Sequence, residues 1–486
     1  VKVMLIGDCL SKLTSAALFI ALLLVSAGVA SAEVIYVEPG ASIQAAVNNS
    51  TTGDFVIVEA GDYEENIVVN VSGITVTSEP ESIDGVLIRS RDENSSVFQV
   101  KADNVTVSGF NITGSGEFFS TFEAARFTNS FSSGNSGEPG ETYEPEARQA
   151  YGLGSGEIFV SRSNGFGCPP AGICLDQVKN CTIERNNIFE NQYGVYLQGS
   201  MNSTISENTF FRNGIWIDEG CSKNMLVNNT IDEGNIIIGA HCWDNIMFQN
   251  RLSNGGGIGI ACCGGGNLVS KNEIVNCSNG IDIYDTQART VLRNNQITDC
   301  NYGIYLIFVF DSSVYNNTIS NSSRGIFLRE NSHDNELFNN TITSSNDSGI
   351  YLMDDSADNR IYNNYFNNTV NVKAENSEGN SWNTTKASGT NIMDGPYLGG
   401  NFWADPNGTG FSQTAKDSDS DGICDLPYNV NKSDFDYLPL TKSPSLPRVN
   451  LKDIIEESVE VRLNVPANYP ENDMKKGPLV FWVEKD

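Results

Sequence analysis

Alternate aspartates, Asp417, Asp419 and Asp421, precede Gly422, Ile423, Cys424 and Asp425 in one short run. Carboxylates at that spacing converge on a single hard cation when the chain curls. The glycine permits the sharp turn, the seventh position offers the Ile423 carbonyl, and Asp425 fills the ninth, where a ligand often acts through water. Calcium is the expected ion. Tyr428 stands at the twelfth position, so no bidentate carboxylate closes the loop and the expected affinity is modest; an acidic turn held in solvent is the alternative. A second group of donors is soft. Cys221, Cys242 and Cys263 recur every 21 residues, with His241 and Cys262 beside them. A chain winding with that period places them in one column, as disulfides or packed thiols in the preferred reading, or as a thiolate and imidazole cluster for copper or zinc in the rival one. Cys277 and Cys300 each precede a glycine by three residues and should be neighbours in the same way.

What would position these groups is a repeat of roughly 22 residues. From Asn180 the chain reads NCTIERNNIFENQYGVYLQGSM, then NSTISENTFFRNGIWIDEGCSK, and so on to NELFNNTITSSNDSGIYLMDDSAD. Each unit carries three short alternating apolar runs separated by Asn, Gly and Ser, a pattern of three strands per coil, and no segment shows the apolar stripe of a helical repeat. Asn186, Asn208, Asn229, Asn250, Asn272, Asn295, Asn317, Asn340 and Asn364 recur once per coil, each two residues before Ile, Leu or Phe. Asparagine tolerates the left-handed turn conformation and can hydrogen-bond to its counterpart in the next coil. The expected fold is therefore all-β: a right-handed, single-stranded parallel β-helix of about 13 coils, a rod on the order of 60 Å long.

The boundaries follow from the breaks in the pattern. Residues 1–32 read as a signal peptide, with Lys2 and Lys12 before an apolar run that ends at Ala30-Ser31-Ala32; that run is short for a membrane span. Residues 33–113 hold the first coils and an N-terminal helical cap in which Ser42 precedes Ile-Gln-Ala-Ala-Val. Residues 114–170 are a Gly/Ser/Glu-rich insertion, 171–390 the regular repeats, 391–443 a C-terminal cap with the aspartate loop, and 444–486 a short appended β-module or the stub of a further domain.

One strand of each coil has outward positions that can be read off directly. Tyr196, Trp216, Asp282, Tyr305, Phe327 and Tyr351 fall in one row, with Asp218 and Tyr284 in the next. An exposed aromatic stripe with nearby carboxylates suits sugar rings, which stack on aromatic faces while acids hold hydroxyls. A fold-back of the insertion over this face, or a protein partner, are the alternatives. With 60 acidic against 30 basic side chains and a net charge of -30, nucleic acid is not an expected partner. Asn-X-Ser/Thr sequons such as Asn180, Asn228, Asn316 and Asn339 are possible glycan sites in an exported chain, although the repeat itself spells Asn-Asn-Thr at a turn.

The cap sequence, the Asn-X-Ile ladder and the recurrent Gly-Ile-X-Leu strand resemble the NosD-like parallel β-helix repeat proteins over roughly residues 34 to 440. That resemblance implies a pectate-lyase-like solenoid, a place at the cell surface of the kind common in methanogenic archaea, and an association with copper for which no ligand carries over residue by residue. Within the wider fold, polygalacturonase-like hydrolysis wants three close Asp and a Gly-His-Gly turn, which are absent, and His241 and His333 are the only histidines. Pectate-lyase-like chemistry wants an arginine base beside cation-binding carboxylates, for which Asp218, Asp282 and Arg329 are the candidates, the latter two on the order of 10 Å apart. The aspartate loop is similar to those of thrombospondin type 3 repeats. Three readings stay open: a secreted cell-surface protein that binds polysaccharide or envelope glycan or acts as a scaffold, a polysaccharide lyase or glycoside hydrolase, and a copper-associated protein.

Overall fold

The structure, a computed structural model, describes residues 32–79, 85–116, 151–153, 157–159, 168–261, 263–284 and 289–442. The leader, Cys262 and the expected module at 444–486 lie outside the described residues. One coil shows the rule: Thr182–Glu184, Asn187–Phe189 and Tyr193–Gln198 enter three different sheets in turn. Each pairs in parallel with the coils on either side, Ile183 with Val107 and Ile205, Ile188 with Ile112 and Phe210, and Val195 with Ile173 and Ile215. The first and second sheets have 13 strands and the third has 12, which makes a right-handed parallel β-helix of about thirteen coils. Alternation along each strand turns the middle residue of a three-residue strand inward, so Ile183, Ile205, Leu226, Met247 and Val269 stack in a fully buried column. Each such side chain contributes about 1.5–3 kcal/mol by its burial.

The asparagine column stands as read. In a typical rung the backbone N–H and Nδ2 of Asn208 both donate to Asn229 Oδ1 at 3.1 Å, and Nδ2 also donates to the Ile183 carbonyl at 2.9 Å. The left-handed corner, however, belongs to the residue before the rung: Arg185, Glu207, Asn228 and Gln249 have φ of 54 to 57°. The rung itself must point inward, and the chain makes that turn one residue earlier, where the side chain faces solvent. A second ladder runs between the third and first sheets, through Asn224, Asn245 and Asn267 and again through Asn335, Asn359 and Asn380. It carries the same signal in the sequence, an Asn two residues before Leu226, Met247, Val269, Leu337 and Ile361.

The ends differ from the middle. The helix Ile43–Asn49 buries Ile43, Ala46 and Val47 against the first strands, with Ser42 Oγ accepting from the Ala45 N–H. Glu65 adds a carboxylate at its start, accepting from the Ile43 and Gln44 N–H groups at 2.9 and 3.0 Å. The Gln44 side chain bonds both the N–H and the carbonyl of Val68, occupying the open edge of the strand Ile67–Val69. The insertion leaves after Asn111–Thr113 and the chain returns at Ala171–Asp176, within one coil, so pairing across it continues from Phe98 to Ile173. At the far end Phe402–Ala404 pairs with Tyr365–Asn367, beyond the expected limit of the repeats at 390, because Asn401 takes the next rung below Asn364 at 2.9 Å.

Candidate functional site

The outward row of the third sheet is assembled by register. Tyr196 pairs with Trp216, Gly259 with Asp282, and Asp282, Tyr305, Phe327 and Tyr351 follow one another coil by coil. The expected exposure is corrected: Tyr305 and Phe327 are 2% exposed, Tyr351 7% and Tyr196 9%, while Trp216 and Tyr284 are half-buried. The reason is geometric. In-register strands place successive rings one coil apart, which is ring-stacking distance; Tyr305 and Phe327 stack at 4.8 Å and Phe327 and Tyr351 at 5.0 Å. Their faces are turned to each other and are closed to a sugar ring. The strand Tyr151–Leu153, paired with Glu157–Phe159, also comes close to Asn279–Tyr284, so part of the insertion returns beside the third sheet.

Asp218, Asp282 and Arg329 do not converge. Asp218 is buried and accepts from the Glu219 and Ala240 N–H groups at 2.9 and 3.1 Å, and burial pushes its carboxyl above the usual range. Asp282 accepts from Asn279 Nδ2 at 2.6 Å. Arg329 donates to the Tyr305 hydroxyl at 3.3 Å and pairs with Glu330 and Asp354. It shares a row with Asp218 at a distance of about five coils, roughly 24 Å, and lies about two coils from Asp282. Sequence reasoning missed a tighter cluster beside them. The Arg324 guanidinium sits over the Phe327 and Tyr351 rings at 4.5 and 4.6 Å and bonds Asp347, which also pairs with Lys373. Lys373 and then Arg324 hold the Asp347 carboxyl below its ordinary range. Arg324 and Asp347 flank the repeat glycines Gly325 and Gly349, a signal hidden because only the strand positions after the glycine were followed.

The cysteine column divides. Cys221 and Cys242 stack inside, the first accepting from the Ser200 N–H at 3.2 Å and the second donating to the Ala240 carbonyl. Cys263 is not above them: Trp243 pairs with Gly265, a step of 22 residues, so Cys263 stands over His241 on the outer corner and Gly264 over Cys242. One residue of slip moves a side chain to the other face. Cys221, Cys242, Cys277 and Cys300 are buried free thiols, and hydrogen bonding with Cys221 together with burial pushes the Cys242 thiol well up. His241 is exposed at the outer corner, and among the described residues no third Cys, His, Asp or Glu donor gathers with Cys221 and Cys242, so these residues do not fit a copper or zinc centre. Among the described residues a disulfide joins Cys168 to Cys174, tying the returning end of the insertion to the third sheet.

In the aspartate loop, oxygens of Asp417, Asp419 and Asp425 lie within 4.8 Å of one another, the only such group of three among the described residues. Asp417 accepts from the Asp421 and Gly422 N–H groups, Gly422 has φ +89°, and the Asp421 carboxylate pairs with Lys386. Ile423 buries its side chain with Phe402 and Leu440, fixing the loop to the last strand.

A family model described as periplasmic copper-binding protein (NosD) matches residues 32–254 and 224–408. No curated protein matches the chain. Among solved structures it is similar to a hyperthermoactive exopolygalacturonase from Thermotoga maritima, with 12% identity and a TM-score of 0.43 over 60% of this chain and 80% of that one. It is similar also to the polygalacturonase of Erwinia carotovora ssp. carotovora, with 15% identity and a TM-score of 0.38 over 72% of this chain and 99% of that one.

Proposed function

The chain belongs to the NosD family, and from that premise we propose that it is an exported β-helix of the cell envelope, a surface scaffold that holds envelope glycan. The fate of the catalytic candidates carries this reading. Asp218 and Arg329 are taken up by structural hydrogen bonds and lie coils apart, an arrangement that favours a scaffold over a polysaccharide lyase or glycoside hydrolase. Export is supported by the leader-like residues 1–32 and by the family's periplasmic description; among the described residues no helix is long and apolar enough to cross a membrane. Polysaccharide is the proposed partner because the half-buried rim of Tyr302, Arg324, Asp347 and Lys373 offers donors and acceptors for hydroxyl groups beside the closed stripe. The copper of the family's description finds no matching donor set in Cys221, Cys242 and His241, and no step of this reading runs through it. Calcium is proposed at Asp417, Asp419 and Asp425, with Asp421 and the Ile423 carbonyl as further ligands, where three carboxylates already face one another.

Incubation of the mature protein with acidic and neutral polysaccharides tests the reading. Retention on a glycan column without product is expected; new unsaturated or reducing ends would establish the enzyme instead.

A further inference from the structure

Among the described residues the outer face of the first sheet is largely apolar and half-buried to exposed, with Lys271 over the Phe248 ring at 5.3 Å. Met225, then Ile246 and Phe248 together, then Leu268 and Val291 lie on four successive strands there, Tyr315, Phe338 and Tyr362 continue the face over the next three, and Trp243 stands at the adjoining corner. Met225 and Trp243 are 42% and 40% exposed. The second sheet of the same coils presents Asp232, Arg251 and Glu273 instead, so the apolar face is not a property of the repeat as such. Charge separates the two faces as well. From Met225 to Tyr362 the outward positions of the first sheet carry Arg293, Arg360 and Glu336, the last two paired, on a chain whose net charge is -30.

We propose that this face docks a second copy of the chain, first sheet against first sheet. The patch spans about seven coils, roughly 30 Å, and about 20 Å across including the corner. That is on the order of 600 Å² per partner, the lower end of what specific interfaces bury. On so acidic a chain, pairing through most other surfaces opposes carboxylates to carboxylates, whereas here two nearly neutral apolar faces meet. A two-fold axis lets the same patch serve both copies and leaves no open edge for further growth. The sheets would pack about 10 Å apart, as in any two-layer β structure. The proposal is independent of the scaffold reading, since a glycan-binding protein or an enzyme could dimerise through this face equally well.

Sedimentation equilibrium of the mature chain over a range of concentrations tests it. A monomer–dimer equilibrium is expected, weakened at least about tenfold by Met225→Asp combined with Trp243→Asp, with unchanged circular dichroism and melting. Leu268→Lys is a second variant, placed outward on the next strand beyond both, in case the first pair disturbs folding. A chain that stays monomeric at the highest concentration reached overturns the proposal, including one that takes up glycan or lipid vesicles on this face. A dimer indifferent to both sets of substitutions overturns it too.

Discussion

Asn250 shows what one residue does in this molecule. Its Oδ1 accepts the Asn229 N–H and Nδ2, while its Nδ2 donates to Asn272 Oδ1 and the Leu226 carbonyl, so every polar atom of a buried amide is satisfied. Asn250→Ala removes both acceptor and donor from the middle of the ladder, and at about 1–3 kcal/mol for each orphaned buried group should cost at least about 3 kcal/mol in chemical denaturation. The last rung ends differently. Asn401 donates its N–H to Asp436 at 2.7 Å, and Asp436 also accepts from Trp403 Nε1 and the Leu438 N–H. Burial pushes this carboxyl from 3.8 to about 7. A carboxyl raised in the folded state contributes stability that is complete below about pH 4 and is lost as pH rises through about 7. Melting temperatures should therefore fall in the wild type between pH 5 and 8, by the equivalent of about 2–3 kcal/mol of stability, and Asp436→Asn should flatten the slope. An equal slope in both would assign the pH dependence elsewhere. The sequons find an architectural explanation at this scale. Asn228-Asn229-Thr230 is a left-handed corner, a ladder rung and an outward strand residue in sequence, so the motif arises from the coil alone.

Single elements close the two ends. Glu65 holds the start of the helix Ile43–Asn49 across a full coil, and Glu65→Ala should lower the melting temperature by the equivalent of about 1–2 kcal/mol while leaving the C-terminal coils protected in hydrogen exchange. The aspartate loop is proposed to do the corresponding work at the other end. With no cation, Asp417, Asp419 and Asp425 repel one another, and a divalent ion at a hundred times its dissociation constant would stabilise the folded loop by about 2.7 kcal/mol. Chelation should make the C-terminal coils protease-sensitive before the N-terminal ones, since solenoid coils depend mainly on their neighbours. Asp419→Ala with Asp421→Ala should reproduce the effect of chelator. Proteolysis and melting that ignore calcium would leave the loop as an acidic turn.

Over the whole molecule, membership of a family described as copper-binding and the donors of this chain point in different directions. Elemental analysis of protein purified anaerobically without chelators is expected to find copper far below one equivalent. A tightly held equivalent lost in Cys242→Ser would reverse that expectation. The rod itself was legible from the sequence because period and alternation are local: an Asn two residues before a buried Ile fixes the coil length, and i, i+2 pairs such as Ile281 and Ile283 fix the inward face. Outward neighbours along a strand were legible for the same reason, which is why Tyr305, Phe327 and Tyr351 fall in the row read for them. Whether that row was open depended on how rings from different coils meet, and a strand pattern carries no information about the space beyond its own face. The cysteine column failed on one residue of coil length between Cys242 and Cys263, a difference the spacing of 21 concealed and the register of Trp243 with Gly265 decided. The aspartate loop needed only its own nine residues to be recognised. Its attachment to the last strand through Ile423 and Leu440, and the carboxylate of Asp436 that ends the asparagine ladder, depend on chain segments that lost the repeat, so only the tertiary structure could bring them together.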